Sequence, residues 1–382
     1  MYPANEGDAF LVSFDSGSTN IIIDMGLQKT YTDYIKPDLV DLKSHGQSVD
    51  LLVVTHVDND HIVGAVNFIK ENGAKDEIIE VKEVWHNSYR HLQFSKHDKP
   101  LDQEEKSTLK QIGSQNRILT KQSGLQDIKI EEGITLAGLL YGYDYSWNEK
   151  FDGKAVLKQR NVIEISSDLT IRIISPNTKK LDVLAAKWKA ILESEKYNFT
   201  LNDDEIFDDA FEQYMRMPEF FSETKDIARN EGKLSFDELV NLQGNDRSPT
   251  NGSSIAFIME YSGKKLLFLG DAHEDVIYDE LASLKDTGYA LDFEIVKVSH
   301  HGSNNNISNR LLELVSSKRF LISTNGRHSH PSLGAIAKII ASGQETEIIT
   351  NYAHDKLESF KSTLAKNQNK IKFITTNEII VE

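Results

Sequence analysis

Residues 55–61 read Thr-His-Val-Asp-Asn-Asp-His and directly follow the apolar run 51–54. This short stretch holds four side chains that commonly bind metal ions, namely His56, Asp58, Asp60 and His61. Because alternate side chains of an extended segment share a face, His56 and Asp58 are aimed at one ion, and Asp60 with His61 at a second. The alternative interpretation is an ordinary polar turn, in which Asp and Asn supply left-handed backbone and local hydrogen bonds.

Two divalent ions would give this turn a hydrolytic chemistry. Ions about 3.5 to 4 Å apart hold a bridging hydroxide at neutral pH, which is the nucleophile of two-metal hydrolases. We therefore count Asp60 among the candidate catalytic residues as well as among the candidate ligands. The chain has no cysteine, so any metal must be held by His, Asp and Glu.

A second candidate lies at the end of another strand-like run, where Gly270 and Asp271 follow residues 265–269. Ligands of open α/β sheets bind at the carboxyl ends of strands, so Asp271 is placed to bridge both metals. The pair Gly-Asp is also typical of a simple turn.

The third stretch is His300-His301-Gly302-Ser303, at the end of the strand-like run 293–299. Two neighbouring imidazoles repel each other when charged, which predicts that at least one binds a metal or a substrate. Strand geometry favours His300 over His301, because His300 follows its strand directly. Ser303 and Asn304 are candidates for binding phosphate oxygens.

A fourth stretch, residues 322–331, contains His328 and His330 after one more strand-like run. A histidine here would protonate a leaving group or hold a phosphate oxygen rather than bind a metal. The alternative is a polar loop on the surface.

The composition limits the function classes. A chain of 382 residues forms one large domain with insertions or two domains. The net charge of −16 opposes nonspecific binding to nucleic acid, although it does not exclude a nucleic-acid substrate. Five basic residues in the second half of the chain would offset this negative charge in part: Lys297, Arg310, Lys318, Arg319 and Arg327.

The sequence also predicts a cytoplasmic protein without a membrane interaction. No run approaches the roughly 18 apolar residues of a membrane-spanning helix. The first residues lack a basic segment followed by an apolar one, which a secretory signal would need.

Strand-like and helix-like segments alternate along the chain, which predicts an α/β fold. Short apolar runs predict strands at 9–14, 20–24, 51–55, 81–85, 163–165, 169–174, 253–260, 265–269, 293–299 and 319–323. We expect a single domain over 1–382, with a polar insertion at 90–160 and an acidic helical insertion at 181–247. The acidic residues of the second insertion favour a solvated helix face. Its aromatic side packs on the core, caps the cleft or binds another subunit.

The order of these motifs resembles the metallo-β-lactamase fold superfamily, and within it the branch typified by the hydrolase domain of the competence protein ComEC. The shared motifs span nearly the whole chain: Gly7-Asp8-Ala9, residues 55–61, Asn251-x-Ser253-Ser254, Gly270-Asp271, His300-His301-Gly302-Ser303 and His330-Pro331. The resemblance implies an αββα sandwich with a dinuclear zinc or manganese site at one edge, carrying the two mainly helical insertions.

The resemblance also implies an assignment of ligands. His56 and Asp58 would hold the first ion, Asp60, His61 and His300 the second, and Asp271 both. Asp58 stands where a second histidine is usual, and its harder oxygen favours manganese or a mixed site, although zinc accepts carboxylates too. The superfamily's remaining histidine has a candidate in His86, and His301 is a further candidate.

The ComEC-like branch implies hydrolysis of a phosphodiester in DNA, RNA or a small molecule. One alternative is a small-molecule esterase or lactonase, since fold does not fix function. Another is an effector hydrolase subunit that stays idle until a protein partner docks on the insertions.

Overall fold

Two β-sheets pack face to face in the computed structural model, which describes residues 1–114, 134–194, 199, 201–216, 231–343, 345–364 and 371–381. The strands are β1 Ala9–Phe14, β2 Thr19–Met25, β3 Leu51–Val53, β4 Val84–Trp85, β5 Ile163–Glu164, β6 Leu169–Ser175, β7 Ala256–Tyr261, β8 Lys264–Phe268, β9 Asp292–Phe293, β10 Ile295–Lys297, β11 Ser316–Ser317, β12 Arg319–Ile322, β13 Thr346–Thr350 and β14 Ile371–Thr375. The helices are α1 Gln28–Thr30, α2 Lys36–Ser44, α3 Asn59–Asn72, α4 Gln103–Ser114, α5 Leu136–Gly142, α6 Thr178–Ser194, α7 Glu205–Met215, α8 Phe236–Val240, α9 Pro249–Gly252, α10 Glu274–Asp286, α11 Asn309–Leu314, α12 Leu333–Ser342 and α13 Asp355–Thr363.

The first sheet has the strand order β1-β2-β3-β4, and the second has the order β14-β13-β12-β10-β8-β7-β6-β5. In the first sheet β2, β3 and β4 are parallel. In the second, β8, β10, β12 and β13 are parallel. The carboxyl ends of parallel strands meet at one edge, so each sheet offers one edge at which the turns after these strands come together.

The hydrophobic core has three layers. Alternate side chains of the two sheets interdigitate between them, as where Phe10 meets Phe268 edge to face at 5.5 Å between ring centroids. A second layer lies between the first sheet and helices α2, α3 and α5. A third lies between the second sheet and helices α8, α10, α11, α12 and α13. This is an αββα arrangement, consistent with the metallo-β-lactamase fold, and the mixed α/β class predicted from the sequence is confirmed.

A fourth apolar cluster joins the two predicted insertions. It contains Leu92, Leu109 and Ile112 from the first, and Trp188, Phe207 and Phe211 from the second. Val57 of the 55–61 turn is also buried in it. The aromatic side of α7 therefore packs inward. Two further aromatic residues of the second insertion, Phe220 and Phe221, lie outside the described residues. The predicted bounds of the insertions and the single domain stay predictions.

The acidic residues of the second insertion do not form a uniformly solvated face. Asp208 and Glu212 are buried. Asp208 accepts from the Arg90 guanidinium, with Nε 3.1 Å from its Oδ2, and Glu212 is paired with His86. The prediction of a solvated face was wrong at these two positions, because partners distant in sequence neutralise them. Within the described residues no helix combines the length and apolar character needed to cross a bilayer.

Candidate metal centre

The 55–61 turn begins where β3 ends and leads into α3. Asp58 has extended backbone at the N-cap, and Asp60 lies in the first helical turn, where a negative charge is favourable beside the helix N-terminus. Asp24, near the end of β2, holds the turn in place. Its carboxylate accepts hydrogen bonds from the Thr55 backbone N–H and from the Thr55 hydroxyl, each at 2.7 Å. Across the cleft, the Ile255 N–H donates to the Thr55 carbonyl at 2.9 Å, which joins this turn to the second sheet.

Asp271 lies at the centre of the cluster. Four imidazole Nε2 atoms surround its Oδ2: those of His61 and His301 at 3.5 Å, His300 at 3.9 Å and His56 at 4.0 Å. His56, His61, His301 and Asp271 are all buried. The 55–61 turn, the Gly-Asp turn after β8 and the paired histidines after β10 therefore meet at one point, as the sequence predicts.

In each of these four histidines, the other ring nitrogen is engaged by the protein. The Nδ1 contacts are Thr55 Oγ1 at 3.0 Å for His56, Asp24 Oδ2 at 2.8 Å for His61, Asn306 Oδ1 at 3.0 Å for His300 and the Ser323 carbonyl at 3.0 Å for His301. This is the arrangement of metal-binding histidines, whose second nitrogen is fixed by a carboxylate, carbonyl or hydroxyl. It leaves every Nε2 directed into the cluster.

The two acidic residues of the turn complete two subsites. Asp58 Oδ2 lies 3.4 Å from His56 Nε2 and accepts from the Thr250 hydroxyl at 3.2 Å. Asp60 Oδ2 lies 3.4 Å from His301 Nε2 and 3.9 Å from His61 Nε2. Ligand atoms of His56, His61 and Asp271, and separately those of Asp60, His61 and His301, lie within 4.8 Å of one another.

Buried polar atoms in the cluster support a cation as the missing partner. Within the described chain, Nε2 of His56, His61 and His301 and Oδ1 of Asp271 are buried without a hydrogen-bond partner. Leaving such groups unpaired costs free energy. A divalent ion bound by imidazoles and carboxylates would satisfy them, so these residues fit a metal ion.

The charges of the cluster depend on one another. Burial alone would lower the pKa of His301, but Asp271 and Asp8 raise it well above the ordinary value. Burial likewise opposes and Asp271 favours the charged form of His300, whose pKa rises to about 9. Burial would raise the pKa of Asp271, but the surrounding imidazoles hold it well below its usual range. The carboxylates therefore favour positive charge on the imidazoles. A metal ion that binds to these imidazoles must displace their protons.

The sequence favoured His300 over His301, whereas the geometry of the cluster favours His301. His301 Nε2 approaches both Asp60 and Asp271, whereas His300 Nε2 approaches Asp271 but not Asp60, and the His300 side chain is a quarter exposed. The cause is the backbone, since His300 and His301 have φ values of 46° and 53°. Left-handed backbone at both positions turns the second ring, not the first, toward Asp60.

His86 was a candidate ligand, but in the described structure neither of its ring nitrogens is directed into the cluster. Nε2 contacts Glu212 Oε1 at 3.0 Å and Nδ1 lies 3.3 Å from the Val54 carbonyl. The ring stacks on Trp147 with 6.3 Å between centroids. His86 lies at the expected strand end after β4, but α7 of the insertion covers it.

Ser303 and Asn304 do not present their side chains as predicted for phosphate binding. The Ser303 hydroxyl accepts from the Asn305 N–H at 3.2 Å, which caps the following turn. Asn304 Oδ1 accepts from the buried Lys338 ammonium at 2.7 Å. Both side chains hold the loop in place.

Of the two candidate histidines in the fourth stretch, only His330 adjoins the cluster. It is buried, with ring centroids 5.2 Å from His300 and 6.3 Å from His301. Burial and the neighbouring charges of His300 and His301 lower its pKa well below the ordinary value. A neutral ring suits accepting a proton or hydrogen bond better than donating a proton to a leaving group. His328 is exposed, as expected for a surface loop.

Besides Asp24, three groups that orient the cluster were given no role in it by the sequence analysis. Lys297 is fully buried, pairs closely with Asp8 and lies 3.8 Å from Asp271 Oδ1. Asp8 in turn lies 3.3 Å from His301 Nδ1. Asp246 Oδ2 lies 3.3 Å from His300 Nδ1. A lysine within the apolar strand 295–298 was a usable signal, since buried charges are paired.

The basic residues that seemed to offset the charge of −16 are paired within the fold. Lys297 is buried with Asp8. The other four each lie beside a carboxylate: Arg310 with Glu274, Lys318 with Glu345, Arg319 with Glu347 and Arg327 with Glu6. These five residues therefore give little attraction for a long nucleic acid.

A sequence model of the metallo-beta-lactamase superfamily matches residues 3–138, the part that contains the first sheet and the 55–61 turn. No curated protein matches the chain significantly. This part of the chain is thus similar to a superfamily of metal-dependent hydrolases, and the buried His/Asp cluster is able to hold metal. The match is to the superfamily as a whole and indicates no branch within it. Asp271 and His301 lie beyond the matched residues, so the match gives no support to either as a ligand.

Proposed function

We propose that this protein is a hydrolase that cleaves a phosphodiester with two divalent metal ions, zinc or manganese. One observation carries the proposal: four histidine Nε2 atoms lie within 4.0 Å of Asp271 Oδ2 while the Nδ1 of each is engaged elsewhere. The resemblance of the motif order to the ComEC-like branch supports a phosphodiester as the substrate.

The geometry supports a revised assignment of ligands. His56 and Asp58 would hold the first ion, and Asp60, His61 and His301 the second. Asp271, between them, would contact both. In this assignment His301 replaces His300, and His86, which directly follows β4, does not take part.

When bound, the two ions would neutralise the charge of a phosphoryl group. They would also lower the pKa of water, so that hydroxide is available as a nucleophile near neutral pH. The protein's own groups fix this arrangement. Asp24 holds the His61 ring, and the Lys297 ammonium, 2.9 Å from the Gly270 carbonyl, holds the turn that carries Asp271. His330, buried and neutral beside His300, would accept a hydrogen bond or proton from the substrate side.

Metal-dependent cleavage is the direct test. The protein is stripped of metal and reloaded separately with manganese or zinc. Hydrolysis of bis-p-nitrophenyl phosphate, single- and double-stranded DNA, and RNA is then followed beside ester and lactone substrates. We expect diester cleavage that requires metal and disappears in Asp60→Ala.

Asp275→Ala is the matched control, because Asp275 is an exposed carboxylate paired with Lys180 at the start of α10. Turnover of esters or lactones alone would replace the phosphodiesterase with the alternative activity. Full diester cleavage by a doubly substituted Asp60→Ala, His61→Ala protein would refute the proposed site.

A further inference from the structure

Lys297 brings a positive charge into the interior beside the metal cluster. It is the last residue of β10, and because alternate side chains of a strand share a face, it points between the two sheets as Ile295 does. The residue is 1% exposed. Its ammonium pairs closely with Asp8, donates to the Gly270 carbonyl at 2.9 Å and lies 3.8 Å from Asp271 Oδ1. Oxygens of three different residues therefore surround this one ammonium.

The oxygens around the ammonium belong to groups that could hold a metal ion. Asp8 forms one group of potential ligand atoms with Asp271 and His301. It forms another with Asp24 and His61, and the atoms within each group lie within 4.8 Å of one another. In the described part of the chain, Oδ1 of Asp8 and Oδ1 of Asp271 are buried without a hydrogen-bond partner. Carboxylate and carbonyl oxygens suit hard cations such as manganese, so the ammonium occupies a position with the donor atoms of a cation site.

The charges of the cluster give this ammonium a role. Five carboxylates have an oxygen no more than 3.9 Å from a ring nitrogen of His56, His61 or His301: Asp8, Asp24, Asp58, Asp60 and Asp271. Asp246 is not counted, because it faces His300 and His273. Two divalent ions would supply four positive charges and leave one negative charge without a partner, which is costly in the interior. The ammonium supplies the fifth positive charge.

We propose that the Lys297 ammonium is a built-in cation of the metal centre. It fills a third cation position, bounded by Asp8, Asp271 and the Gly270 carbonyl, and thereby keeps a further divalent ion out. The count of two other ions rests on the proposed function. The third position does not, because it is defined by the atoms around the ammonium. A charge tethered to β10 cannot dissociate, so the balance of Asp8 does not depend on the supply of metal.

Removal of the ammonium should open this position to an ion. Lys297→Ala keeps Cβ and removes the chain beyond it, which leaves space beside Asp8 and Asp271. The vacated position adjoins Asp271, which a metal ion must reach in any case. The cluster is accessible from solvent at Asp60 and His300, whose side chains are partly exposed. We expect Lys297→Ala to bind one more manganese ion per chain than the wild type binds.

The experiment compares the wild type with Lys297→Ala, with the double variant Asp8→Asn, Lys297→Ala and with Lys338→Ala. Lys338 is the matched control, because it is also a buried lysine but donates to Asn304 Oδ1 at 2.7 Å and to the Ile307 carbonyl at 3.2 Å. Each protein is purified in manganese and desalted, and the ions per chain are counted by mass spectrometry. Circular dichroism verifies that each variant is folded.

The expected result is one additional ion in Lys297→Ala alone. The double variant should bind the same number as the wild type, because it lacks the Asp8 charge that the additional ion needs. Lys338→Ala should also match the wild type, since its ammonium is not part of the third position. Lys297→Gln, which is neutral and offers an amide oxygen to the ion, replaces Lys297→Ala if that variant does not fold in manganese.

Equal ion counts in Lys297→Ala and the wild type would overturn the third position. An additional ion that persists in the double variant would overturn it too, because that ion would bind elsewhere. The same conclusion follows if neither Lys297 variant folds in manganese while the double variant does. Absence of diester cleavage by the wild type, together with the additional ion in Lys297→Ala, would refute the proposed function and leave the third position standing.

Discussion

Two turns deliver histidines to the same point, and they are built differently. Residues 55–61 use regular backbone: an extended segment after β3, an N-cap at Asp58 and the first turn of α3. Residues 299–303 use left-handed backbone at both His300 and His301. Left-handed backbone costs about 1 to 2 kcal/mol per non-glycine residue. Hydrogen bonds from the His300 N–H to Gly270 and from the Ser303 N–H to the His300 carbonyl, at 3.0 and 2.8 Å, help to hold it.

The difference shows what determines the orientation of the ligands in each turn. In the first turn, the alternation of side chains along an extended backbone orients them, and one carboxylate, Asp24, fixes the His61 ring. In the second turn, contacts with distant residues orient them, among them Asp8, Asp246 and Ser323. Each turn contributes to the group around Asp271, so the contributions are separable by substitution.

The largest effect is expected at the residue that both turns share. Asp271→Asn keeps the shape but removes the charge that would contact both ions. We expect bound metal to be lost and diester cleavage to fall by about 10³-fold or more, since the ions provide several kcal/mol of stabilisation in the transition state. Metal content by mass spectrometry and initial rates measure the outcome, with Asp275→Asn as control. Retention of both metals would remove Asp271 from the centre of the site.

The second prediction sets the two histidines of the left-handed turn against each other. His301→Ala should lose one of the two metals and most activity, because Asp60 and His61 remain without their third partner. His300→Ala should keep both metals and lose less activity. The metal content of the two purified variants decides between them. The reverse ranking would restore the choice of His300 made from strand geometry.

The regular turn was predictable from sequence, and the irregular one was not. Apolar runs predicted most of the strands, although not β11, β13 and β14, and strand ends predicted the convergence of His56, His61 and Asp271. The choice between His300 and His301 depended on left-handed backbone, which the motif His-His-Gly does not reveal. His86 stood at the right strand end but was covered by a helix more than a hundred residues later in the chain. Asp24 gave a readable signal, since a carboxylate that follows three isoleucines in a buried strand needs a partner.

A smaller effect is expected from the carboxylate beneath the regular turn. Asp24→Asn removes a charge that accepts from Thr55 and fixes the His61 ring. Loss of such a supporting group costs about 10- to 100-fold in metal affinity. Metal titration against a competing chelator measures it, and Asp33→Asn, at an exposed carboxylate beside Lys29, is the control. Unchanged affinity would show that the turn alone orients His61.

The smallest effect on the metal site is expected at His86. His86→Gln should keep both metals, because neither ring nitrogen of His86 is directed into the cluster. It should lower the free energy of unfolding by about 3 kcal/mol, because Glu212 would stay buried without its imidazole partner. Burial raises the pKa of Glu212, but the contacts with His86 and the Ala137 N–H outweigh it and lower the pKa. A lowered folded-state pKa stabilises the protein above the unfolded value of about 4.3, and this contribution is lost as the pH falls through the folded value.

Urea unfolding followed by tryptophan fluorescence tests both statements at once. The difference in unfolding free energy between wild type and His86→Gln should be greatest near neutral pH. It should narrow as the pH falls below about 4.3, because protonated Glu212 no longer needs a charged or hydrogen-bonding partner of the same strength. A variant that unfolds like the wild type but binds one metal fewer would make His86 a ligand after all. It would mean that α7 moves aside when metal binds, and that the strand end after β4 contributes as those after β3 and β8 do.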